Sequence, residues 1–177
     1  MSTLVIIAHP NMTQSKVNKA WKLTLQQRDE VTVHDLYSIY PNEVIDIEAE
    51  QQLLEQYETI IFQFPLYWYS YPPLFKQYFD EVLEYGWAYG STGDKLQGKQ
   101  FAAAVSVGSA EEDYHAEGAV GYTLAQLLAP LDATSRFVGA KFIGAHALYG
   151  TFNVNEAQLN NNIADYFSFI NQITQQV

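Results

Sequence analysis

The chain has 177 residues, of which 48% are apolar and 16% charged, a balance that suits one globular domain spanning residues 1–177 and argues against disorder. Its formal net charge of -11, from 9 basic and 20 acidic side chains, argues against a nucleic-acid surface or an anionic membrane surface. Cysteine is absent, so there is no disulfide framework, thiolate nucleophile or Cys-based metal site, and no metal centre is expected.

Thr3 to Ala8 is a continuous apolar run rich in β-branched residues, as a buried central strand requires, and Pro10 ends it. The run is too short for a signal peptide and no basic residue precedes Lys16. Nor does any run approach the roughly 20 apolar residues of a membrane span. A soluble cytoplasmic protein with no membrane insertion is therefore expected. Val17, Trp21 and Leu25 fall at helical spacing, which predicts a helix from near Ser15, with Ser15 or Thr13 as its cap.

Residues 30–35 form the second predicted strand, 47–56 a helix and 59–64 the third strand. Leu74, Phe75, Tyr78, Phe79, Val82 and Leu83 make a wide helical stripe. Four glycines within residues 84–99 predict a long ordered loop, followed by a fourth strand at 101–107. A helix over 119–131 and a weaker fifth strand at 142–149 come next. Ile163, Phe167, Ile170 and Val177 then line a C-terminal helix. Five alternations of strand and helix specify an α/β fold: a five-stranded parallel sheet with helices on both faces. At this length the flavodoxin-like strand order 2-1-3-4-5 fits best.

In that order the carboxyl ends of strands one, three and four lie side by side, where such sheets bind ligands. The first loop, His9 to Asn18, has no glycine fingerprint but offers His9, Thr13, Ser15, Asn18 and the free amides of a helix N-terminus, a donor set suited to phosphate. A plain helix cap is the competing reading. The second loop follows Phe64 and places Tyr67, Trp68, Tyr69 and Tyr71 within five positions, an apolar wall for a flat ring. A core cluster or a subunit contact is the alternative there. In the third loop, Gly108 permits close backbone approach, and Tyr114 and His115 offer a phenol and an imidazole; a solvated acidic turn is the alternative.

Ala8-His9-Pro10 with Ser15 and Asn18, the run FQFPLYWYSYPPLFKQYFDEVL at 62–83, YGWAYG at 85–90 and the loop from Ser106 to Tyr114 together resemble the flavodoxin-like NAD(P)H:quinone oxidoreductases over nearly the whole chain. That group includes DT-diaphorase, bacterial NAD(P)H oxidoreductases and the flavoprotein subunits of glutathione-gated potassium efflux systems. The resemblance implies a homodimer with bound FMN, or alternatively FAD, that passes a hydride from NADPH or NADH to a quinone-like small molecule in ping-pong fashion. It implies that His9, Ser15, Val17 and Asn18 hold the flavin phosphate. Pro65, Leu66, Tyr67, Trp68 and Tyr69 hold the ring on the same implication, and Ser106, Val107 and Gly108 line its other edge. Tyr114 and His115 are then the catalytic candidates, and Tyr85 to Tyr89 a contribution from the second subunit. Two departures stand out: Ser-Val-Gly-Ser replaces the usual Thr-Thr-Gly-Gly at 106–109, and Val120 stands where several relatives carry a catalytic His. Docking on a potassium efflux transporter and one-electron transfer are the competing roles.

Overall fold

The computed structural model describes residues 3–175. Its strands are β1 (Thr3–Ile7), β2 (Val31–Asp35), β3 (Thr59–Pro65), β4 (Gln100–Ser106) and β5 (Lys141–Leu148). They form one parallel sheet in the order β2-β1-β3-β4-β5, as expected. Every residue of β1 and β3 is buried, because helices cover both faces and leave no polar side to alternate with.

Alternate strand residues feed two separate cores. Leu4, Ile6, Phe62, Phe64 and Phe101 pack on one face against α4 (Pro73–Val82), α5 (Leu124–Leu127) and α6 (Ala129–Phe137), with α3 (Ile47–Glu55) at the margin. Phe62 is the hub, with ring centroids 5.4, 5.2 and 5.1 Å from Phe75, Phe79 and Phe101. On the other face Val5, Ile7, Ile61 and Ala104 meet Trp21 and Leu25 of α1 (Val17–Leu25) and Tyr166 and Ile170 of α7 (Glu156–Thr174). Val177, expected on the α7 stripe, lies outside the described residues. A Lys22–Asp35 ion pair at 2.6 Å anchors α1 to the end of β2, just before the short helix α2 (Leu36–Ile39).

One local expectation needs correction, and two others gain detail. The helix expected over 119–131 starts at Leu124 and continues to Phe137, broken at Leu128 ahead of Pro130. The positive φ of Gly121 delays its start, and Thr123 then closes a capping box with Gln126. The fifth strand lies where expected and pairs with β4 through a register shift. Ile143 and Gly144 oppose Ala102 alone, with Gly144 at φ 123°, and this bulge explains the weak strand pattern in the sequence. The first helix, α1, begins at Val17, near Ser15 as expected. The Ser15 hydroxyl accepts the Asn18 N–H at 3.2 Å, while Thr13 donates to the Asn11 side chain instead. The glycine-rich segment 84–99 is an ordered loop, pinned by a Tyr85–Tyr89 bridge and by buried Ala88 and Leu96.

Candidate active site

The carboxyl ends of β1, β3, β4 and β5 surround a cavity of about 910 Å3. Each of its walls is a loop whose entry angle is set by the strand before it.

The β1 loop supplies one end. His9 is buried, and its Nδ1 accepts the Asn11 N–H at 3.1 Å. Burial lowers its pKa against a smaller opposing pull from Asp35. The ring is therefore neutral near pH 7 and carries its proton on Nε2, a free donor. The N–H groups of Lys16 and Val17 find no acceptor among the described residues, as a helix N-terminus dictates. Asn11, Gln14, Ser15 and Lys16 line the same end, and the Lys16 ammonium donates to the Val154 carbonyl. Neutral imidazole, hydroxyl, ammonium and free amides give this end the donor set that suits an anion.

The β3 loop supplies the apolar wall. Tyr67 and Ser70 exchange two backbone hydrogen bonds, of 3.1 and 2.9 Å, around a two-residue turn. Trp68 and Tyr69 occupy that turn with φ of 47° and 63°, both in the left-handed region. This is a type I′ turn, where Asn-Gly is the unstrained choice. Two bulky aromatics there carry roughly 1–3 kcal/mol of strain each, a cost that points to a function for the side chains. Trp68 is 93% exposed and offers its indole to the cavity mouth. The turn's N–H groups at Trp68 and Tyr69 have no acceptor among the described residues. Tyr71 does not join them. Its ring packs on Phe64, Phe75 and Phe79, and burial pushes its hydroxyl pKa up to about 12.

The β4 loop contributes Ser106, Gly108, Ser109 and Tyr114. The amides of Gly108 and Ser109 are free of acceptors among the described residues. Tyr114 is buried against Tyr149 at 5.4 Å, and burial raises its pKa, so the phenol keeps its proton at neutral pH. Three residues expected at the site, Val107, His115 and Asn18, are not on the cavity. Val107 points into the core and contributes only backbone, donating to Leu148 and accepting from Thr151. His115 is exposed in the acidic turn, where its Nδ1 accepts the Glu117 N–H at 3.2 Å.

Asn18 is also turned away from the cavity. Its side chain is 1% exposed, donates to the Ser106 hydroxyl at 2.7 Å and accepts from Gln63 Nε2 at 3.3 Å. Its place in the helix accounts for this, because Asn18 shares the buried stripe of Trp21 and Leu25.

The loop after β5 was not anticipated as part of the site. Gly150 and Thr151 bond through their N–H groups to Ser109 and Val107, and this brings Thr151 and Phe152 onto the cavity. Phe152 is 88% exposed, and its ring covers Gly108: a Cβ there would sit 2.6 Å from the Phe152 ring. A side chain at 108 would therefore have to displace the Phe152 ring. One signal was available in the sequence, an aromatic in a turn at the carboxyl end of a fifth parallel strand.

Comparison with known proteins shows the family. A family model described as Flavodoxin-like fold matches residues 1–169. The chain is 47% identical over 169 residues to the uncharacterized NAD(P)H oxidoreductase YrkL of Bacillus subtilis, covering 94% of this chain and 97% of that one. It superposes with a TM-score of 0.92 on the crystal structure of general stress protein 14 from Treponema denticola in complex with FMN, at 41% identity over 97% of this chain and 99% of the other. An NADPH-quinone reductase from P. pentosaceus matches at 30% identity and a TM-score of 0.87, over 96% and 97% of the two chains.

Proposed function

The chain belongs to the flavodoxin-like fold family, and from that premise we propose that it is an NAD(P)H oxidoreductase that holds FMN in this cavity and passes a hydride from NADPH or NADH to a quinone. One observation carries the reading: a single cavity joins an anion-binding end at α1 to an aromatic end at the Trp68–Tyr69 turn. A mononucleotide with a phosphate at one end and a flat ring at the other matches that polarity. The relatives named for NAD(P)H oxidoreduction, FMN binding and quinone reduction support the same reading.

When bound, flavin supplies the two-electron chemistry between nicotinamide and acceptor. The protein's tasks are binding and positioning. His9, Ser15 and the amides of Lys16 and Val17 take the phosphate, and the Lys16 charge offsets part of its negative charge. Leu66, Tyr67 and Trp68 form the ring wall, while the free amides of Trp68, Tyr69, Gly108 and Ser109 meet polar ring atoms. Tyr114, held protonated by burial, donates to the acceptor oxygen. His115 lies off the cavity, so Tyr114 is the acid of this proposal.

One cavity then serves both substrates in turn, which makes the kinetics ping-pong. Steady-state rates with NADPH and menadione should give parallel double-reciprocal lines. A colourless preparation that stays inactive with menadione, NADPH and added FMN or FAD would reject the reading. The exposure of Trp68 and Phe152 beside the cavity supports a homodimer that shields them, and sedimentation at micromolar concentration tests for two chains per particle.

A further inference from the structure

Gln63 is a polar residue within the run Ile60–Ile61–Phe62–Gln63–Phe64, and it has no solvent exposure at all. A buried amide in a central strand is costly unless its groups are paired. Its Nε2 donates to both the side-chain and backbone oxygens of Asn18 at 3.3 Å, and its Oε1 accepts from the Tyr166 hydroxyl at 3.4 Å. This pairing has a direction. Because Gln63 donates to Asn18 Oδ1, Asn18 must present its Nδ2 to Ser106, and that bond is 2.7 Å long. The Ser106 oxygen, already accepting, must turn its own hydrogen elsewhere. No acceptor among the described residues takes that hydrogen, and Ser106 lines the cavity.

We propose that Gln63 is a positioning residue whose amide, through Asn18, fixes the Ser106 hydroxyl as a hydrogen-bond donor aimed into the cavity, toward the bound flavin. The same relay ties α1, β3 and β4 together, so the phosphate end and the ring end of the cavity share one buried polar link. Sequence resemblance assigns Asn18 to the ligand directly; the geometry gives it this indirect part instead. The inference rests on FMN being the ligand of this cavity.

Reversing the relay tests it. Gln63→Glu keeps the size of the side chain and, assayed above the pH at which the buried carboxyl ionises, only accepts. Asn18 then turns its Nδ2 to residue 63 and its Oδ1 to Ser106, which donates inward and is lost to the ligand. FMN affinity is read by quenching of flavin fluorescence on titration with cofactor-stripped protein. Ser106→Ala should weaken binding about 5-fold, as expected for one neutral hydrogen bond. Gln63→Glu should weaken it to the same extent, and the double variant should be no worse than either alone, because both remove one donor. Multiplicative losses in the double variant, or parental affinity in Gln63→Glu, overturn the relay. Should the buried carboxylate prevent folding, Gln63→Met removes the same orienting donor without charge and is held to the same criteria. Tyr166→Phe breaks the network on its other side; it should lower Tm and leave FMN affinity at the parental value. If affinity falls in Tyr166→Phe as far as in Gln63→Met, the residue is merely structural and the proposal fails. A parent protein that binds no FMN instead rejects the functional reading beneath it.

Discussion

Replacing Trp68 by asparagine should make the cofactor-free protein more stable and the enzyme worse. Trp68 sits at φ 47° in the first position of a type I′ turn, where asparagine is favoured. A bulky residue held there carries roughly 1–3 kcal/mol of backbone strain, and asparagine relieves part of it. Little burial is lost in exchange, since the indole is 93% exposed. A net gain of about 0.5–1.5 kcal/mol follows. For a chain of this size each kcal/mol shifts Tm by about 2–4 °C, so the variant should melt about 1–6 °C higher. Function moves the other way. Loss of aromatic packing worth about 0.5–1.5 kcal/mol beyond burial should weaken FMN binding about 2- to 10-fold. Calorimetry must use stripped protein, because bound ligand raises Tm by mass action and would mask the gain. A lower Tm in the stripped variant would refute the strain argument, and unchanged FMN affinity and kcat/KM would refute the role given to the indole.

Phe62→Ala should lower the unfolding free energy by about 3–5 kcal/mol in urea titration, with and without cofactor, because Phe62 joins three rings in the core beneath α4. Gly108→Ala should displace the Phe152 ring, cost under about 1 kcal/mol in Tm-derived stability and raise KM for menadione; adding Phe152→Ala should recover the lost stability. His9 and His146 are both buried with pKa values held below the ordinary 6.5. The folded state therefore binds fewer protons than the unfolded chain once the pH drops through that value. Unfolding free energy measured between pH 8 and 5 should be flat at first and decline below about pH 6.5. A rise in stability on acidification across that window would contradict the assignment of both rings as neutral.

The sheet was legible because β1 and β3 are buried on both faces, and continuous β-branched runs flanked by turn residues admit few other readings. Strand order then brought three loops to one edge without any knowledge of side-chain contacts. What escaped the sequence was geometry that depends on packing partners. Trp68-Tyr69 has none of the composition of a type I′ turn, so its strain emerges only from the backbone angles. Phe152 reaches the site because two backbone hydrogen bonds fold the β5 loop against the β4 loop, and a bulge had already blurred the strand that leads there. Asn18 is an instructive case. Its place in the loop after β1 and the resemblance both put it on the ligand side, whereas in the fold it shares the buried stripe of Trp21 and Leu25. Tyr71, from the same aromatic run as Trp68, belongs to the core, and only the ring contacts separate the two.

The central claim is that the cavity at the carboxyl edge of the sheet holds FMN. Its most direct test is mass spectrometry of the chromophore released by heat from purified protein, with the amount per chain measured by absorbance. The account predicts the mass of FMN at close to one equivalent per chain, recovered after stripping and reconstitution. A protein that releases no flavin and takes up none on reconstitution, or one that releases only FAD, would contradict it.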